Sequence, residues 1–152
     1  MVKPLSLGVA LALFSLSATA DDSLVKYESI YSVKETADRF ENIAKSKGLT
    51  VFTRINHQQN AANVGLELRP TEVIIFGNPK VGTPLMQCSQ DVAIDLPQKV
   101  MITEDSNNKI WLSYNNPNYL VQRHSMEGCD EVIKKVSNFF SNCKTYEEVL
   151  NV

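Results

Sequence analysis

The stretch from Ser32 to Gly48 limits the possible folds more than any other. Ser32 followed by Glu35 predicts a capping box, in which each side chain bonds the backbone N–H that the other leaves free. Val33, Ala37, Phe40, Ile43 and Ala44 then recur at helical spacing and give the helix one apolar stripe. Lys45 and Lys47 suit the negative end of the helix dipole, and Gly48 takes the left-handed conformation that stops it. A helix apolar on one side must bury that side against something. On either flank lie short runs with strand character, residues 24–31 (LVKYESIY) and 49–55 (LTVFTRI). The helix is therefore expected to lie on a sheet.

The remaining elements continue the pattern. Asn56 predicts the cap of a short helix, His57 to Val64, closed by Gly65, and Pro70 ends the segment Leu66–Arg69. Glu72–Phe76 (EVIIF) reads as an apolar strand with neighbours on both sides. Thr83, Pro84 and Gln87 form a second capping box with proline at the first helical position, so a helix is expected from Thr83. Lys99–Glu104 and Lys109–Tyr114 read as two strands joined by a hairpin turn over Asp105–Asn108. A short helix is expected from Asn116–Pro117 through His124. A last one runs from Asp130 to Asn142, with Val132, Ile133, Val136, Phe139 and Phe140 as its buried stripe. About five strands and several helices in this irregular order fit an α+β fold: one domain, a mostly antiparallel sheet with packed helices.

The chain has 152 residues, 43% of them hydrophobic, and a net charge of −2. No basic field draws it to nucleic acid, and no apolar stretch reaches membrane-spanning length. Lys3, an uncharged run from Leu5 to Leu16, and small residues at Ala18 and Ala20 have the form of a secretory signal. Residues 1–20 are expected to be a cleaved leader. Residues 21–152 are then an exported soluble domain, in the periplasm of a bacterium.

Export favours pairing among Cys88, Cys129 and Cys143. Cys129 and Cys143 flank the last helix and stand roughly 20 Å apart at 1.5 Å per residue. A bridge needs Cα atoms within about 7 Å. Any disulfide within the chain must use Cys88, and three free thiols packed as small hydrophobes are the alternative.

The segment Gly77-Asn78-Pro79-Lys80-Val81-Gly82-Thr83-Pro84 stands out as a source of chemistry. Read as a loop leading into a helix at Thr83, it offers free N–H groups and the Lys80 ammonium to an anion. It is no nucleotide-binding P-loop, because Thr83 follows Gly82 where that motif demands lysine. A copper site would draw on His57, His124, Met86, Cys88, Met101 and Met126. However, Met86 and Cys88 point about 200° apart on a helix, and no C-x-x-C or H-x-x-x-H occurs. A cysteine enzyme would pair Cys88 with His57 or His124, with Glu104 or Asp95 orienting the base. Trp111, Tyr114 and Tyr119 suit sheet and turn packing better than a pocket wall.

The runs Gly65–Glu72 (GLELRPTE) and Phe76–Met86 (FGNPKVGTPLM) resemble the domain of unknown function 302 family. Asp95-Leu96-Pro97, Glu104-Asp105, Trp111–Tyr114 (WLSY) and His124 add to the likeness, which covers about residues 34–142. The resemblance implies a compact α+β domain whose members pair as homodimers, with no catalytic assignment and no cofactor. It directs attention to Asn78, Lys80, Gly82, Thr83, Glu104 and His124 as ligand-binding positions. The cysteines lie outside the family pattern. The leading expectation is an exported accessory protein that binds a small anionic ligand at residues 77–84. A dimeric interaction module, a cysteine enzyme and a copper binder are the alternatives.

Overall fold

The computed structural model describes residues 23–141 and 149–150. The expected leader and Cys143 lie outside the described residues. Five strands form the sheet: β1 (Leu24–Ser29), β2 (Thr50–Asn56), β3 (Thr71–Gly77), β4 (Gln98–Glu104) and β5 (Ile110–Asn115). The helices are α1 (Val33–Ser46), α2 (His57–Asn63), α3 (Pro79–Cys88), α4 (Asn118–His124) and α5 (Asp130–Ser141), with a 3₁₀ turn at Gln90–Ile94. The strands lie in the order β1-β5-β4-β3-β2, and each neighbouring pair is antiparallel. The α+β expectation holds.

Most termini form where side-chain chemistry places them. The Ser32 Oγ accepts the Glu35 N–H at 3.2 Å, and the Asn56 Oδ1 accepts the Gln59 N–H at 2.8 Å. Gly48 closes α1 at φ +74°, a left-handed angle that a side chain would resist. The β4–β5 turn is held by the Asp105 carboxylate, which accepts the N–H groups of Asn107 and Lys109.

One face of the sheet carries the core. β3 presents Ile74 and Phe76 to it, β4 Val100 and Ile102, and β5 Leu112 and Tyr114, all buried. The register places Ile74 opposite Val100 and Ile102 opposite Leu112, so these side chains form continuous rows. α1 and α5 close over them. Phe40 meets Phe76 edge-on at 5.0 Å between centroids, and Phe140 stacks on Tyr114 at 4.1 Å. Burying each such ring contributes about 1.5–3 kcal/mol. β3 does have a strand on each side, but its burial alternates: Val73 and Ile75 point to the other face and stay half-buried.

A carboxylate interrupts the apolar face. Glu72 on β3 is only 6% exposed. Its partner is Arg54 on β2, whose Nε donates to it, while Nη1 donates to Asp38 of α1 at 2.5 Å and Nη2 to the Lys34 carbonyl at 3.3 Å. A buried carboxylate without a partner costs several kcal/mol, so this network fixes where α1 can sit.

Candidate functional site

The segment 77–84 is the largest departure from expectation. It is not a loop. α3 starts at Pro79, so Thr83 and Pro84 lie inside the helix. Asn78 is the cap: its Oδ1 accepts the Lys80 N–H at 2.9 Å, and its carbonyl accepts the N–H groups of Val81 and Gly82 at 2.9 Å each. Pro79 fills the first helical position, where it lacks an N–H and needs no partner. Pro84 deprives the Lys80 carbonyl of its helical partner, an irregularity that the short helix absorbs. From Pro79 to Gly82 every N–H is thus either absent or bonded, and the backbone cradle expected for an anion does not form. Lys80 is exposed to solvent and lines no pocket described here.

The same segment nonetheless walls a cavity. A pocket of about 300 Å³ lies between α3 and α5, bordered by the ends of β2 and β3 and by the turn Leu96-Pro97-Gln98. Phe76, Val81, Leu85, Leu96, Phe139 and Phe140 supply apolar wall, and Phe52 is 52% exposed at its edge. The two glycines bring α3 close without adopting left-handed angles. A Cβ at Gly77 would stand 3.5 Å from both Phe52 and Pro97, and one at Gly82 would stand 3.9 Å from the Leu96 side chain. The polar lining consists of Asn78, Thr83, Gln98 and Lys135. Lys135 is the one charged residue among the described residues of the wall.

Two fastenings hold this wall in place. The first is a polar cluster behind the Leu96-Pro97 turn. The Asp95 carboxylate accepts from the Tyr119 hydroxyl at 2.8 Å and from the His124 Nε2 at 2.5 Å, with the Arg123 Nε 3.5 Å away. Burial works to raise the Asp95 carboxyl, but the hydrogen bonds from His124 and Tyr119 and the charge of Arg123 outweigh it and hold the group below its ordinary range. The Tyr119 hydroxyl is pushed up by burial and by the anionic Asp95. The second fastening is covalent. Cys88 at the end of α3 and Cys129 just before α5 form a disulfide, their Cα atoms 6.3 Å apart.

The six expected site residues therefore do not converge. Asn78, Gly82 and Thr83 border the pocket, Lys80 faces solvent, and His124 is committed to Asp95. Glu104 borders two other depressions, at the far end of β4. Its separation follows from the antiparallel register, which pairs Phe76 with Gln98 at one end of the sheet and Thr71 with Thr103 at the other. The cysteine-nucleophile alternative loses its thiol to the disulfide. Asp95 does bond His124, but among the described residues no hydrogen bond joins that imidazole to a nucleophile. Nor do the copper candidates assemble: Cys88 is bridged, His124 is bonded to Asp95 and Met126 is buried in the core. Among the described residues there is no group of three or more His, Cys, Asp or Glu fit to hold a metal ion. Trp111 and Tyr119 bond Asp105 and Asp95, and Tyr114 is core, so none of the three lines the pocket. Lys135, Leu96, Phe52 and Gln98 are among the pocket residues that spacing did not single out. Lys135 stands four before Phe139 on one helix face, which was its only local signal.

Comparison with known proteins agrees with the fold. The chain is 47% identical over 111 residues to the fluoride-specific ion channel FluC 1 of Brucella suis biovar 1 (strain 1330), a match covering 73% of this chain and 44% of that protein. The FluC 1 of Brucella abortus biovar 1 (strain 9-941) matches at the same identity, over 41% of its length. The chain thus spans less than half of the curated relatives it matches. Among the described residues no helix is long and apolar enough to cross a membrane. The crystal structure of an uncharacterized conserved DUF302 protein from Bacillus stearothermophilus superposes with a TM-score of 0.70 at 18% identity, over 84% of this chain and 95% of that one. The family model for the domain of unknown function DUF302 matches residues 25–143, and the chain belongs to that family.

Proposed function

We propose that this chain is an exported accessory protein that binds a small, largely apolar organic molecule in the pocket between α3 and α5. The observation that carries this reading is the pocket itself: a concave, mostly apolar wall with a few polar groups, at the lower end of the usual size for small-molecule sites. Taking about 30 Å³ per water-sized group, it holds roughly ten non-hydrogen atoms. Export after Ala20 and pairing as a homodimer belong to the same proposal. The relationship to proteins named as fluoride channels supports an association with anion handling. It does not favour bare fluoride as the occupant. A small hydrated anion gives up its water only to converging N–H donors, and those at the start of α3 are already bonded.

The test is binding of a neutral apolar probe matched to that size, 1-naphthylamine, followed by fluorescence in the wild type and in Gly82→Leu. Leucine at this helical position removes a glycine penalty of about 1 kcal/mol and projects beside Leu96 into the cavity. The expected result is probe fluorescence in the wild type, its loss in the variant, and a melting temperature in the variant as high as the wild type's or higher. No fluorescence in the wild type, or equal fluorescence in both proteins, overturns the reading.

A further inference from the structure

Resting on that pocket reading, we infer that the occupant is an amphipathic monoanion: an apolar body of about eight carbons ending in one carboxylate or sulfonate, with Lys135 as its counter-charge. The walls demand the apolar body. The sign of the head follows from the charges around the pocket. Lys135 is the only charged residue among the described residues that line it. Among the described residues it has no ion pair, whereas its neighbour Lys134 pairs with Glu131 at 3.3 Å. The acidic residue preceding the adjoining Leu96-Pro97 turn, Asp95, is taken up by His124, Tyr119 and Arg123. Among the described residues of the lining, no carboxylate neutralises Lys135, repels an anion or receives a cation.

Lys135 stands one helical turn before Phe139, so the ammonium and the ring belong to one face of α5. A ligand lying along Phe139 and Phe140 brings its head to the lysine while its tail stays among the apolar side chains. Gln98, Thr83 and Asn78 are the uncharged polar groups among the described lining residues, able to hydrogen-bond the head's oxygens. One lysine balances one negative charge. A second charge on the ligand would enter an apolar wall without a partner, which excludes dianions such as phosphate monoesters.

Isothermal titration of octanoate, 1-octanol and octylammonium tests the inference, because the three share a tail and differ in the charge of the head. The proteins are the wild type, Lys135→Met, which keeps the apolar stem, and Lys135→Glu. Lys135 is exposed, so neither substitution disturbs the core. Octanoate is expected to bind the wild type about twofold to fivefold more tightly than octanol, as a rim charge pair allows. That advantage should shrink in about 0.5 M NaCl, disappear in Lys135→Met and pass to octylammonium in Lys135→Glu. Equal binding of octanoate and octanol by the wild type overturns the inference about the head and leaves the pocket standing. So does a preference for octanoate that survives in Lys135→Met. Binding of none of the three overturns the pocket reading with it.

Discussion

Breaking the disulfide should cost this domain a large part of its stability, and the size of the loss follows from chain length alone. Cys88 and Cys129 are 41 residues apart in sequence. In the chain-entropy treatment a cross-link closing a loop of that length removes about 13 cal/mol/K from the unfolded ensemble, or about 4 kcal/mol at 25 °C. That is a large fraction of the roughly 5–15 kcal/mol that holds a domain of this size together. The variant to compare is Cys88→Ser with Cys129→Ala, since Cys129 is 3% exposed and a serine there would bury an unpaired hydroxyl. Cys143→Ala should be present in both proteins to prevent thiol exchange. Urea unfolding at pH 7 is expected to show a loss of about 4 kcal/mol and a steeper dependence on urea, because the unlinked chain exposes more surface when it unfolds. Reducing the linked protein, whose Cys88 is exposed, should reproduce the loss without removing an atom from the core. A loss below about 1 kcal/mol with an unchanged urea dependence refutes the account, since the entropy of a loop this long is not so small.

Arg54→Met should destabilise the protein by about 3–5 kcal/mol in urea unfolding, because it strands the buried Glu72 carboxylate; adding Glu72→Leu should recover most of the loss. The pH dependence of stability should depend on Asp95. Its carboxyl is held below the ordinary value in the folded state, so its contribution is fully present above about pH 4 and fades as the pH falls through the folded value. Asp95→Asn should flatten the fall in melting temperature on the acid side of pH 4 and leave the profile above it parallel to the wild type's.

Much of the fold could be read locally because its termini carry local chemistry. Ser32 with Glu35, Asn56 before α2 and Asp105 in the hairpin each bond backbone groups within four residues, and those bonds form as expected. α3 starts at Pro79, four residues before the helix start that Thr83-Pro84 predicts, although its own signal is present in the sequence. Asn78-Pro79 is the same dipeptide as Asn116-Pro117 just before α4, where the Asn116 Oδ1 accepts the Asn118 N–H at 3.1 Å as the Asn78 Oδ1 accepts that of Lys80. A second pattern, Thr83-Pro84 with Gln87, competes with it a few residues later. Tertiary contact decides between them: starting the helix at Pro79 sets Gly82 against Leu96 and places Val81 and Leu85 in the pocket wall. The pocket was not legible because Lys135, Phe52 and Leu96 come from separate elements and meet only through strand order and the Cys88–Cys129 link. Spacing narrowed the disulfide to Cys88 and one partner, and only the position of α5 identified Cys129.

The misplaced helix start changes the kind of anion the site can take. Had the 77–84 segment been an open loop, its unpaired N–H groups would have selected a small, strongly solvated ion and paid for its lost water with hydrogen bonds. With Asn78 accepting those donors, a bare inorganic anion finds one exposed ammonium and an apolar wall, which is a poorer environment than water. Attraction to a single surface lysine is worth about 1 kcal/mol or less, too little to hold any ion alone. The apolar wall has to supply most of the binding free energy. At about 25 cal/mol per Å² of apolar surface removed from water, it does so only for a molecule that brings an apolar body of its own. The charge then sets orientation and preference rather than affinity, so truncating the tail should weaken binding far more than neutralising the head.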